Sequence, residues 1–168
     1  MANVWREPIF DRTLDDVNFA IQKLKEWKNN HTHSEDATVT GTESVYDLKG
    51  CLNLSDLNRI ECNIAYLAEK LESFEFHPDI RGRQWSIADM PNQNDVSRIL
   101  ANIRSILESF YQPRNAPSLP DTMLYYSDIN AIEENLYLIK NLLDCMQNSF
   151  GKVGAQKSGA TMFLPIRR

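Results

Sequence analysis

The chain has 168 residues, 42% of them hydrophobic and 24% charged, with a formal net charge of −5. That length is enough for one domain with a real core, and the composition is ordinary for a soluble globular chain. The acidic balance, with no Lys/Arg cluster, argues against broad binding to a nucleic-acid backbone, and no apolar run approaches the ~18 residues that a membrane span needs.

Residues 1–12 carry Trp5, Ile9 and Phe10 without a helical period, and Pro8 keeps Glu7 out of the helical region. The stretch reads as an extended arm whose bulky side chains want a surface to cover. It has no apolar core of the kind a signal peptide carries. The body then spans residues 13–150. Thr13 followed by Asp16 is a shortened capping box that opens a first helix, with Leu14, Val17, Ile21 and Leu24 on one stripe and Phe19, Ala20 and Trp27 widening it. The helix should end near Asn29 or Asn30. Residues 29–50 form a polar loop. It contains His31, His33, Glu35 and Asp36, but their spacing matches no strong metal signature, so the reading is a solvated loop with no metal.

Three stronger helices follow. Leu57, Ile60, Ile64, Leu67, Leu71 and Phe74 alternate at spacings of three and four, as do Val96, Ile99, Ile103, Ile106 and Phe110, and again Ile129, Ile132, Leu136, Ile139, Leu143 and Met146. Each helix would run about 18–22 residues, or about 27–33 Å. Between them, His77-Pro78 and Met90-Pro91 bracket a loop holding Arg81, Gly82, Arg83 and Trp85, and the Pro-rich stretch 112–121 makes a semi-rigid connector. Glycines at 151, 154 and 159 loosen the chain into a second arm, 151–168, whose apolar part is Met162, Phe163 and Leu164.

One stretch recurs: Ser55-Asp56-Leu57-Asn58-Arg59-Ile60-Glu61-Cys62-Asn63-Ile64. It returns as Asn94-Asp95-Val96-Ser97-Arg98-Ile99-Leu100-Ala101-Asn102-Ile103 and as Ser127-Asp128-Ile129-Asn130-Ala131-Ile132-Glu133-Glu134-Asn135-Leu136. A worn copy sits at Asp15 to Ala20. Each copy supplies a polar cap (Ser55, Asn94 or Ser127), an Asp and an aliphatic stripe, which is a recipe for packing helices. Asn63, Asn102 and Asn135 each stand beside a stripe residue, where an amide can bond a neighbouring helix or loop and set its register. They are candidate inter-helix amides. Arg59 and Arg98 read as surface pairs with nearby glutamates, worth little. Cys51, Cys62 and Cys145 are odd in number and have no metal-type spacing, so they read as reduced, partly buried thiols. No nucleophile–base arrangement, phosphate-cradling glycine loop or paired-carboxylate motif appears, so an enzyme, a cofactor and a small-molecule substrate are not expected. The fold expectation is all-α, a three- or four-helix bundle of repeated helical units with extended N- and C-terminal arms.

The stretches Lys49 to Glu61 and Met90 to Asn102 resemble a family of small helical proteins encoded in the tail regions of phages and prophages of Gram-positive gut bacteria. Trp5-Arg6-Glu7-Pro8-Ile9-Phe10-Asp11-Arg12-Thr13 with Asp16-Val17 is similar to that family's start, and Tyr126 to Asn130 with Glu133-Glu134-Asn135 to its last helix. The likeness covers about residues 5–150. Departures are the more polar Asn29–Thr42 loop and an ending after Phe150 that does not continue into a long fibre or a carbohydrate-binding domain. The resemblance implies a virion structural protein of the tail, at the tail tip, baseplate or fibre attachment. It would be made in the host bacterial cytoplasm and would act through assembly contacts with other tail proteins and with itself as a homo-oligomer. Trp5, Ile9, Phe10, Trp85, Met162, Phe163 and Leu164 are then the candidate assembly contacts. The alternative is a cytosolic bacterial module that holds a partner helix in a groove.

Overall fold

In the computed structural model the described residues are 3–31, 48–123 and 125–154; these are helical and loop, with no strand among them. Met162, Phe163 and Leu164 lie outside them, as do His33, Glu35 and Asp36 of the polar loop. Four helices follow one another: α1 (Leu14–His31), α2 (Leu54–Glu72), α3 (Gln93–Ser109) and α4 (Tyr126–Gly154). None of them is long and apolar enough to cross a membrane. The last helix runs through Gly151, beyond the point where its glycines were expected to end it.

The recurring Asp explains where the helices start. The caps of α2 and α3 are Asn53 and Asn92, three residues before Asp56 and Asp95, not Ser55 and Asn94. Each Asp reaches back to the backbone N–H of its cap, at 3.0 Å in α2 and 3.1 Å in α3. Asp16 does the same for Thr13 at 2.8 Å, and Asp128 accepts from the Tyr125 N–H at 3.2 Å. A carboxylate in this place satisfies an orphan donor and sits at the positive end of the helix.

The three stripes meet in one core. Leu57, Ile60, Ile64, Leu67 and Leu71 of α2 pack with Ile99, Leu100, Ile103 and Ile106 of α3 and with Ile132, Leu136, Ile139 and Leu143 of α4. The helix contacts run from α2 to α4 and from α2 to α3. Trp85 and Met123, from the loops, complete the cluster. Helix α1 behaves differently. Of its apolar side chains Ala20 alone is buried, while Leu14, Phe19, Ile21, Leu24 and Trp27 remain exposed. Its first turn rests on the turn at Gly50, where a Cβ would come within 2.2 Å of the Asp16 carbonyl oxygen. Glycine is required there by the close approach of two backbones. Lys49 sits at the same junction, 3.0 Å from Asp11 and 3.6 Å from Asp16.

Cys51 and Cys62 are half-buried free thiols, but Cys145 is exposed, against the expectation for it. Burial, and after it the charge of Asp56, pushes the Cys51 thiol above its ordinary range.

Candidate functional site

Three non-helical segments, residues 3–13, 76–85 and 113–123, the last opening with a turn at Arg114-Asn115, lie against the helices, and the asparagines of the recurring stretch hold them. Asn63 of α2 accepts from the Arg6 N–H at 2.9 Å and donates to the Arg6 carbonyl at 2.8 Å. Asn102 of α3 does the same to Arg81, at 3.0 and 3.1 Å. Asn135 of α4 donates to the Pro117 carbonyl at 2.9 Å and back to Ala131 at 2.8 Å. So each amide grips the backbone of an extended segment; none of the three bridges two helices. The carboxamide has a donor and an acceptor side by side, which matches the N–H and C=O that one extended residue presents on one edge.

Two further asparagines, five places earlier in their copies, grip from the other flank. Asn58 accepts from the Trp85 N–H at 3.0 Å and donates to its carbonyl at 3.1 Å. Asn130 accepts from the Arg12 N–H at 3.2 Å and donates to its carbonyl at 2.9 Å. Five residues turn a helix by about 140°, so the two amides of one helix face different neighbours. The first segment is therefore held by α2 at Arg6 and by α4 at Arg12. The second is held by α3 at Arg81 and by α2 at Trp85.

Asn135 is the exception that accounts for itself. It is fully buried, and its Oδ1 has no partner. The residue it grips is Pro117, which has no N–H to donate.

Buried charge accompanies the grips. Glu133 of α4 accepts from Arg59 of α2 at 2.6 Å and from Arg12 of the first segment at 3.3 Å, and also from the Ile9 N–H. Arg12 reaches Asp56 at 2.7 Å as well, and Arg59 pairs with the same carboxylate. All four are buried, and Glu133 is 1% exposed. Glu61 of α2 plays the matching part for the second segment. It pairs with Arg98 of α3 and takes hydrogen bonds from the Arg83 N–H at 3.4 Å and the Trp85 indole at 3.3 Å. Arg83 closes the pattern by bonding Asp95 at 2.8 Å, as Arg12 bonds Asp56. Arg59 and Arg98 are thus not surface pairs of small worth: each ties its helix to another. Burial alone would pull Arg59 down, but its hydrogen bond to Glu133 and the charges of Glu133 and Asp56 more than offset this, and its pKa is raised.

Of the residues singled out as assembly contacts, Trp5, Ile9, Phe10 and Trp85 are described, and they pack on the chain's own helices and loops. Trp85 is 3% exposed, a core residue whose indole N–H finds Glu61 and whose ring lies under the Arg83 guanidinium at 4.3 Å. A residue so enclosed has no face for a neighbour, and that assignment is corrected. Trp5 is half-buried beside Tyr66, with ring centroids 5.6 Å apart and Lys140 at 5.5 Å. Phe10 meets Tyr137 at 5.3 Å, and Ile9 is half-buried beside it. In this structure the first segment covers its own α2 and α4.

The carboxylates that close the capping boxes, half-buried Asp16 and buried Asp95 among them, set an acid limit. The backbone N–H of Asn92, and after it Arg83, holds Asp95 below its ordinary range; the backbone N–H and then the hydroxyl of Thr13 lower Asp16. A lowered folded pKa means stability that is present above the unfolded value near 4 and lost as pH falls through the folded one. We expect a melting temperature that is flat between about pH 7 and 5 and declines below about pH 4, with a shallower decline in Asp95→Asn. Calorimetry checks this, and an unchanged slope in Asp95→Asn would remove Asp95 from the account.

Among the described residues no three His, Cys, Asp or Glu side chains are grouped so as to hold a metal. No protein-family model matches the chain, and neither a curated protein nor a solved structure matches it.

Proposed function

We propose that the chain is a structural protein of a phage or prophage tail, at the tail tip, baseplate or fibre attachment, and that it works by assembly contacts and not by catalysis. In this reading the body is a bundle of three repeated units, each an extended segment and a capped helix, gripped to one another by amides and buried charge. The observation that carries the assembly reading is α1. It presents Leu14, Phe19, Ile21, Leu24 and Trp27 at the surface, with Phe19 55% exposed, while the other three helices bury their stripes. A helix apolar on its outside is an interaction surface until something covers it. The tail assignment rests on the resemblance of residues 5–150. The chemistry around the buried charges supports a static role, since Asp56, Glu61 and Glu133 are each committed to an arginine and to further donors of the chain.

The rival reading, a module that holds a partner helix in a groove, draws less support. The grooves beside α2 are filled by the chain's own segments. Mass spectrometry of purified particles from an induced host tests the proposal. The chain is expected in the particles at a fixed ratio to the other tail proteins. Its presence in the lysate and absence from particles overturns the tail assignment.

A further inference from the structure

We infer that residues 3–31 are an exchangeable unit, and that the groove between α2 and α4 which holds the first segment takes that segment from a second copy of this chain. The inference deepens the assembly reading and rests on its premise that copies of the chain meet.

Three observations lead to it. First, the segment binds its groove as a separate peptide would. It is gripped at both ends, at Arg6 and Arg12, by paired hydrogen bonds to its backbone. It also sends the Arg12 side chain into a buried acidic pair and lays Trp5 and Phe10 on aromatic partners. Such a groove reads backbone direction, one cation and two rings, which suits an extended segment of this composition from any copy. Second, the other segments cannot leave. Residues 76–85 run from α2 to α3 and residues 113–123 from α3 to α4, so displacing either would pull the core helices apart. The first segment reaches those helices only through α1 and residues 32–47. Those 16 residues can span on the order of 50 Å, more than the width of a small domain. Third, α1 buries a single apolar side chain, Ala20, and half-buries Val17, where each core helix buries four or more. Its first-turn contacts at Gly50 and Lys49 re-form equally well on another copy, since Asp11 and Asp16 travel with the segment. The contacts named here are all remade on exchange, the condition under which swapping an element is a low-cost route to association.

The Lys49–Asp11 pair, 3.0 Å apart, reports on this directly, because its two residues lie on opposite sides of residues 32–47. Unlabelled and isotope-labelled wild-type chains are mixed one to one at high concentration and treated with a zero-length carbodiimide, which joins a lysine to a carboxylate it touches. Exchange predicts Lys49–Asp11 links that join a light to a heavy chain, rising with concentration toward about half of all such links. Links that stay light–light and heavy–heavy at every concentration overturn the inference. Light scattering on the same mixture separates the two levels: copies that associate while their links stay within one chain overturn exchange and leave the assembly reading standing through α1. A second arm uses full-length Trp5→Ala/Arg12→Ala, with an intact groove, and full-length Asn63→Ala/Asn130→Ala, with an intact segment. Mixed together they should form a one-to-one complex at least about tenfold more readily than either alone. Failure to complement, with both chains folded by circular dichroism, overturns it as well.

Discussion

Glu133→Ala is expected to lower the unfolding free energy by about 3–5 kcal/mol, the range for breaking a buried ion pair by removing one partner. Glu133 is the point where α4, α2 and the first segment share one charge. Without it, two buried guanidiniums share Asp56 as their one carboxylate, and the Ile9 N–H loses its acceptor. The cost is the stranding of these groups more than the loss of the attraction itself, since a buried pair roughly offsets its own desolvation. Two companions test that account. Glu133→Gln keeps the shape and one acceptor oxygen and should cost less than Glu133→Ala. The double variant Arg59→Met/Glu133→Leu should recover part of the loss, because it removes one stranded cation along with the anion. Denaturant unfolding of the three variants decides it. A loss under about 1 kcal/mol for Glu133→Ala would mean that water reaches the site and screens it.

The helices and their core were legible because periodicity is a local signal. The alternation through Ile60, Ile64, Leu67 and Leu71 requires only that one side of a helix face inward, and all four are buried. The long-range partners were not legible, for a reason of geometry. Asn63 pairs with Arg6, 57 residues away, and Arg12 with Glu133, 121 residues away, and no spacing in one copy points across such distances. What the copies do hold is the recurrence itself. Asn58 and Asn130 share a place as clearly as Asn63, Asn102 and Asn135 do, and Glu61 and Glu133 share another. A polar residue that returns at a fixed step from a buried stripe is a sign of a repeated partner, even when the partner is unknown. Trp85 misled for the opposite reason. Its neighbours Arg83, Gln84 and Ser86 are exposed, so the stretch reads as a surface loop, yet an extended segment alternates its faces and turns the indole inward. The capping residues were misplaced by two because Ser55 and Asn94 are good caps by type. The Asp that recurs is better read as the third residue of a capping box, which moves the cap back to Asn53 and Asn92.

The amide grips make a comparison that the chain sets up by itself. Asn63→Ala removes two hydrogen bonds to Arg6 and leaves its N–H and C=O to find water beside a covered helix face, so a loss of about 1–3 kcal/mol is expected. Asn135→Ala removes one bond to another segment, to Pro117, and at the same time removes a buried oxygen that had no partner. Its cost should be smaller, under about 1 kcal/mol, although both amides are buried to the same degree. Burial alone would rank them together. The cause is checked through Pro117→Ala, which restores an N–H opposite the Asn135 oxygen. That variant loses the conformational restriction of proline, a cost of about 0.4–1 kcal/mol, and gains a hydrogen bond worth about 0.5–1.5 kcal/mol. The two nearly cancel, so the single variant says little. The cycle says more: Pro117→Ala should be clearly destabilising when Asn135 is already Ala and close to neutral when it is present, a coupling of about 1 kcal/mol between the two sites. Chemical unfolding of the four chains measures it. If Asn135→Ala costs as much as Asn63→Ala and the cycle shows no coupling, the missing N–H at Pro117 is not what leaves that oxygen alone.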